Sequence, residues 1–289
     1  RITIPTDLTV PYQTLVERMA DAVRQMLENA GMTLEQCGGI GIGSPGTIDA
    51  KQGVILYSNN FGWENVPIVE ELKKHLDTRI EIANDADAAA LGEVCAGAAE
   101  GAENAVLLTL GTGVGSGVIL DKKIFRGAMP GGCELGHLSI RYDGIRCTCG
   151  RKGCLEAYAS ASALLRIARE KAAEHPESIM NEMCGNDLEQ MNGKIPFDAA
   201  KAGDEAGMET VKEYEGYLAC GIANVINTFR PEKVILGGGV AAQKDNLTAP
   251  LKDLVKDMCF GGSHGHIADI VTSVLGNDAG IIGAANLVV

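Results

Sequence analysis

Apolar runs of strand length alternate with longer stretches of helical spacing through most of this chain, which restricts it to folds in which helices pack against a sheet. The runs lie at 80–83, 105–110, 117–120, 234–236 and 267–275, and the helical patterns at 85–98, 160–174, 205–229 and 249–258. Nearer the start, residues 2–4 read as the end of a strand. Leu15, Val16, Met19, Val23, Met26 and Leu27 then recur at helical spacing until Gly31 supplies a C-cap. Ile40 and Ile42 belong to a glycine-rich strand that stops at Ser44-Pro45-Gly46. The expected class is α/β. A polar segment of small residues at 100–104 is the best candidate for a boundary between lobes. Pro176, Gly185, Gly193 and Pro196 break any period over 175–204, which predicts irregular surface structure there.

A length of 289 residues suffices for one large core or two medium ones, and therefore for a cleft between lobes. The formal charge of -13, with both signs mixed along the chain, repels phosphate polymers and anionic lipid. Nucleic acid and membrane are thereby excluded as partners of this portion. The sequence has no apolar run of the ~18 residues a membrane helix needs and no secretory pattern at its start, so a cytoplasmic location is expected. Nine cysteines, an odd number, do not resemble a secreted disulfide framework. Cys37, Cys95, Cys133, Cys184, Cys220 and Cys259 are scattered among apolar neighbours and read as reduced thiols. Arg1 is not Met, so further residues are expected ahead of it in the native protein.

The other three cysteines cluster in Cys147-Thr148-Cys149-Gly150-Arg151-Lys152-Gly153-Cys154, ten residues after His137. Three thiolates and an imidazole form the closed four-coordinate set that zinc prefers; the alternative is a reduced cysteine-rich loop unrelated to His137. The run Leu110-Gly111-Thr112-Gly113-Val114-Gly115-Ser116-Gly117 joins two predicted strands. Its alternate glycines let backbone N–H groups converge on an anion and Thr112 adds a hydroxyl, although a glycine-rich hairpin without a ligand fits as well. Gly237-Gly238-Gly239 follows another predicted strand and is either a second place of close ligand approach or a bare turn. Asn84 and Asp85 stand between a strand and an alanine-rich helix. They serve as a helix cap, or they present a carboxylate where α/β folds commonly place ligands. Glu134, His137 and Glu156 bracket the cysteine loop; carboxylate acceptors beside a fixed imidazole donor suit a polyol, and a solvated surface is the plainer alternative.

Taken together, these motifs resemble the ROK (repressor, open reading frame, kinase) family from about Ile40 to the C-terminus. The matching segments are 41–46, 58–63, 84–93, 110–117, 134–137, 147–156 and 235–239, in the family's order. The resemblance implies an actin-like ATPase (ribonuclease H-like) fold of two α/β lobes around a cleft. One lobe would be 1–102, rejoined by a C-terminal helix at 278–289, and the other 103–277 with the zinc loop. By position, Asp85 becomes the catalytic base, and Asn84, Asp85, Glu134, His137 and Glu156 become the sugar ligands. His137, Cys147, Cys149 and Cys154 would hold a structural Zn²⁺. Thr112 and Gly113 would face the phosphates of ATP, which brings Mg²⁺, and Gly238 and Gly239 would border the adenosine. The implied activity is ATP-dependent phosphorylation of a hexose at its 6-hydroxyl, above all glucose, by a homodimer or homotetramer. Alternatives within the resemblance are kinases of N-acetylmannosamine, N-acetylglucosamine or fructose, and the sugar-sensing part of a repressor whose helix-turn-helix domain would lie ahead of it. The family's opening Asp-x-Gly-Gly-Thr turn does not occur here, so the chain is expected to begin about one hairpin into the family's pattern.

Overall fold

The computed structural model describes every residue of the chain except His266. Helix α1 (Tyr12–Ala30) turns Leu15, Val16 and Ala20 inward and ends at Gly31, whose left-handed backbone lets its N–H cap the last turn. Next come β1 (Ile40–Ser44), the antiparallel strands β2 (Thr47–Asp49), β3 (Val54–Ser58) and β4 (Trp63–Val66), helix α2 (Ile68–Lys73) and β5 (Ile80–Asn84). β5 lies parallel to β1, with Asn84 opposite Ser44. Val16, Ile55, Leu72 and Ile82 meet in the core that these elements enclose. Residues 2–4, expected to end a strand, have no regular structure.

Helix α3 (Asp85–Ala96) runs on directly from β5 and crosses to the larger sheet. That sheet is built from β6 (Ala105–Leu110), β7 (Val114–Leu120), β8 (Lys123–Ile124), β9 (Lys233–Gly237) and β10 (Asp269–Thr272), in the order β10-β9-β6-β7-β8. β6 is parallel to β9 and antiparallel to β7. The helices that follow α3 are α4 (Glu156–Ala159), α5 (Ala161–Glu174), α6 (Ile179–Met183), α7 (Ile195–Lys201), α8 (Glu205–Phe229), α9 (Asp245–Met258) and α10 (Asp278–Asn286).

Both faces of the larger sheet are covered, which is why its strands read as continuous apolar runs rather than alternating ones. Val106, Leu108 and Leu110 of β6 point to Leu218 and Ile222 of α8 and Leu251 of α9. Ala105 and Leu107, on the opposite pleat, point to Ala90, Leu91 and Val94 of α3. Helix α10 packs in turn on α3 and β1, so α3 has protein on almost every side.

The segment 175–204 departs from expectation. Its short helices α6 and α7 and the loop between them bury Met180, Met191, Ile195 and Ala199 against Ala168 and Ala172 of α5, forming a satellite core instead of an irregular surface. Helices of five and seven residues are too short to repeat an apolar period, so their sequence shows only the breakers between them. The three-stranded sheet went unread for the same reason.

Candidate active site

Two sets of parallel strands present their carboxyl ends to the candidate site, the position at which open α/β sheets take ligands. From β5 comes Asn84, the N-cap of α3: its Oδ1 accepts the N–H groups of Ala86 at 2.8 Å and Asp87 at 3.4 Å. Its Nδ2 donates to the Gly46 carbonyl at 3.1 Å, which ties the Ser44-Pro45-Gly46 turn to the start of the helix. Capping and presentation therefore coexist. Beside this locked cap, Asp85 is exposed, with Oδ1 accepting the Ala86 N–H at 2.9 Å.

On the larger sheet, the turn Gly111–Gly113 between β6 and β7 stands next to the turn after β9, because Thr109 and Gly237 are partners across the parallel pair. The N-terminus of α5 fixes the first turn: Ala161 N–H donates to the Gly111 carbonyl at 2.8 Å and Ser162 Oγ to the Thr112 carbonyl at 2.9 Å. Thr112 is exposed at its tip, as are Gly238 and Gly239 beside it. The later glycines of the run do different work. A Cβ on Gly117 would meet the Ala86 carbonyl at 2.5 Å and Ala90 at 2.7 Å, so that glycine admits α3 against the sheet and is not free to cradle an anion.

His137, Cys147, Cys149 and Cys154 converge, with their four ligand atoms within 4.8 Å of one another. His137 Nδ1 lies 3.6 Å from Cys147 Sγ, and Cys149 Sγ lies 3.6 Å from Cys154 Sγ. Tetrahedral zinc with ordinary Zn–S and Zn–N bonds separates its ligand atoms by roughly 3.5–3.8 Å, so the two 3.6 Å separations match such an ion and the donor set fits it in chemistry. Nδ1 faces the cluster, which leaves Nε2 of His137 for another partner. Burial pushes the Cys147 thiol up and that of Cys154 up to about 12, whereas the Arg151 N–H lowers Cys149.

Glu156 joins this cluster to the glycine turn. Its Oε2 accepts the Val114 N–H at 3.1 Å, while Oε1 accepts the Thr148 hydroxyl at 3.1 Å and lies 3.4 Å from Cys147 Sγ. Glu134 is exposed at the start of the short turn Leu135–His137, which β7 positions: Ser116 Oγ donates to the Cys133 carbonyl and accepts the Leu135 N–H at 3.0 Å. The expected residues thus form three linked groups: Asn84 with Asp85, Glu134 with His137 and Glu156, and Thr112 and Gly113 with Gly238 and Gly239.

Sequence reasoning missed Asp87. It is 5 % exposed, and its Oδ1 is buried without a hydrogen-bond partner. Burial pushes its carboxyl up to about 7; Arg126 opposes that shift, while Glu134 and Asp85 add to it. A signal was present. Two residues along a helix turn the side chain by about 200°, so Asp85 and Asp87 cannot both face the cleft.

A model of the "ROK family" matches residues 3–289. The chain belongs to the ROK family. The glucokinase of Thermotoga maritima is 37% identical over 277 residues, which cover 96% of this chain and 85% of that protein. A ROK family glucokinase from Streptomyces griseus, solved in complex with glucose and AMPPNP, superposes with a TM-score of 0.76 at 31% identity, covering 94% of this chain and 87% of that one. The ROK hexokinase of Thermus thermophilus gives a TM-score of 0.79 at 32% identity, over 98% and 88% of the two chains. The fold is accordingly the actin-like ATPase fold of the ROK sugar kinases. Among the described residues no helix is long and apolar enough to cross a membrane.

Proposed function

We propose that the chain is an ATP-dependent sugar kinase that transfers the γ-phosphoryl group to the 6-hydroxyl of glucose. The observation that carries this reading is the bridging position of Glu156. One of its oxygens holds the N–H at the edge of the glycine turn and the other meets the cysteine cluster, so a sugar-side acceptor and a phosphate-side turn form one hydrogen-bonded unit. A reaction between a polyol and a nucleotide needs that adjacency, because phosphoryl transfer depends mainly on positioning and charge stabilisation.

In this reading Asp85 accepts the proton of the attacking hydroxyl. The carboxylates of Glu134 and Glu156 accept hydrogen bonds from other sugar hydroxyls, His137 donates to one through Nε2, and Asn84 completes the set. Thr112 and Gly113 take the phosphates of ATP, Gly238 and Gly239 border its nucleoside, and Mg²⁺ arrives with the nucleotide. Zinc held by His137, Cys147, Cys149 and Cys154 supplies rigidity, fixing the imidazole and the loop beside Glu156. The cytoplasm, where thiols stay reduced, suits nine free cysteines.

A coupled ADP-release assay against hexoses and acetamido-hexoses tests the reading. Glucose should give the highest kcat/KM, with glucose 6-phosphate as product. A higher value for an acetamido-hexose, or ADP release that ignores sugar, overturns the glucose assignment.

A further inference from the structure

Asp87 lies on the side of α3 that faces the segment linking β8 to the Glu134 turn. Gly132 of that segment, at φ 67°, rests against the carboxyl: a Cβ there would meet Asp87 Oδ2 at 3.1 Å. Between helix and segment is a cavity of 150 Å³ lined in part by Asn84, Asp87, Lys51, Arg126 and Gly132. A buried carboxylate oxygen without a partner is uncommon in a settled interior, and here it belongs to a residue that lines a cavity together with Arg126. Arg126 itself is exposed. We propose that Asp87 is a positioning residue for sugar binding: it receives Arg126 as residues 125–134 settle against α3, before sugar arrives, and the pairing fixes the backbone at Gly132 and, through it, the Glu134 carboxylate. The proposal rests on the reading of Glu134 as a sugar ligand.

The charges around Asp87 make that pairing conditional. Asp85 acts on it through space from its own helix, Arg126, Cys133 and Glu134 face it from the linking segment, and Asp49 and Lys51 line the cavity from the end of β2 and the turn after it. Asp49 is engaged by the N–H groups of Lys51 and Gln52, both at 3.1 Å. With two further carboxylates acting on it, an ionised Asp87 is stable only when a cation is close, and Arg126 is the cation that most strongly favours its charge. Asp87 titrates at about 7, so the attraction is weak in mild acid and develops on the alkaline side of neutrality.

Hydrogen exchange of residues 125–134 in the full chain, at about pH 6 and pH 8 and corrected for intrinsic rates, reads the pairing without any sugar. The wild type should gain protection of roughly 3-fold or more at the higher pH, whereas Asp87→Asn and Arg126→Gln should gain none. Calorimetry with glucose adds the functional arm. Each variant should bind about 5-fold more weakly than wild type at pH 8 and equally at pH 6, and the double variant should be no weaker than either single one. A merely structural Asp87 would weaken binding at both values, which overturns the proposal, as does loop protection that is the same in all three proteins. If wild type binds no glucose, the glucose reading fails, while the exchange comparison still decides whether Asp87 and Arg126 pair.

Discussion

The two ends of α3 each bury a carboxylate, and they treat it oppositely. Toward the C-terminus Glu93 is 0 % exposed and its oxygens are engaged: Oε1 accepts the Leu275 N–H at 3.0 Å and the Ser273 hydroxyl, and Oε2 accepts the N–H groups of Ala98 at 2.7 Å and Val274 at 3.4 Å. Toward the N-terminus Asp87 is almost as enclosed, but its Oδ1 has no partner and a cavity lies beside it. A satisfied acid acts as a fastener, here tying the end of α3 to the segment between β10 and α10. An unsatisfied acid marks the end of the helix where local stability has been given up, and that end also carries Asn84 and Asp85.

The largest effect that would test this contrast is on stability. Glu93→Ala removes an acceptor from three backbone N–H groups at once and should lower the unfolding free energy by about 3–5 kcal/mol. Urea denaturation checks it, and a loss below ~1 kcal/mol would mean that water or a shifted backbone replaces the fastener. At the other end the expected effect is on chemistry. Asp85→Asn should slow phosphoryl transfer by at least ~10²-fold, because an amide keeps the shape but cannot accept the hydroxyl proton. Glucose affinity and unfolding free energy should change little, since Asp85 is exposed. Unchanged turnover would return Asp85 to the role of a helix-start residue and leave the N-terminal end without its catalytic member.

How much of this was legible in the sequence depended on whether a residue's role is local. Helix α8 was read over 205–229, the range it occupies, because a strong apolar period coincides with a capping Asp204 whose side chain accepts the Gly207 N–H. Asn84 and Asp85 were legible as a strand-to-helix junction with two possible meanings. The cysteine cluster was legible from spacing, and the fold then brought His137 to it across the intervening nine residues. The glycine run was half legible. Its turn joins β6 to β7 as read, but Gly117 answers to the backbone of α3, which no local pattern reveals. Asp87 and Glu93 share an alanine-rich helix that is buried nearly all round, so helical spacing turns Asp87 away from Asp85 but does not say what either acid meets. Their difference lies in neighbours far along the chain: the Leu275 N–H bonded to Glu93, and Gly132 and the cavity beside Asp87.

A smaller effect sharpens the contrast through pH. Asp87 titrates at about 7 in the fold against 3.8 for the free side chain, so the folded protein keeps a proton that the unfolded chain has released. The stability of the neutral carboxyl is fully present below about pH 4 and is lost as pH rises through about 7. Relative to Asp87→Asn, the wild type should therefore lose about 2 kcal/mol between pH 5.5 and pH 7.5, because groups common to both proteins cancel. Parallel urea titrations at the two pH values measure the difference. Curves that stay parallel would mean that Asp87 is already ionised and paired throughout.

The smallest expected effect asks whether the open end of α3 depends on the cysteine loop opposite. Cys149 is the member of the proposed zinc set to change, because it is exposed and Cys149→Ser leaves no cavity, whereas Cys147 and Cys154 are buried. Without a metal, burial keeps Cys147 and Cys154 protonated, so an ion must displace their protons, and the three-ligand remnant should hold zinc poorly at neutral pH. Zinc content after dialysis should fall well below one per chain. Glucose affinity should drop by about tenfold, because an unanchored Cys147 loosens the contact with Glu156 Oε1 and frees His137 to turn. Unfolding free energy should change less than in Glu93→Ala, since Glu93 and its partners lie at the far end of α3. Glu156 has a second anchor in the Val114 N–H, and the Glu134 turn has its own in Ser116. If those two suffice, the zinc-free variant will bind glucose at full strength, and the metal will then count as a brace for the loop alone. A tenfold loss instead makes the cysteine loop part of the sugar site, reaching it through Glu156 and His137.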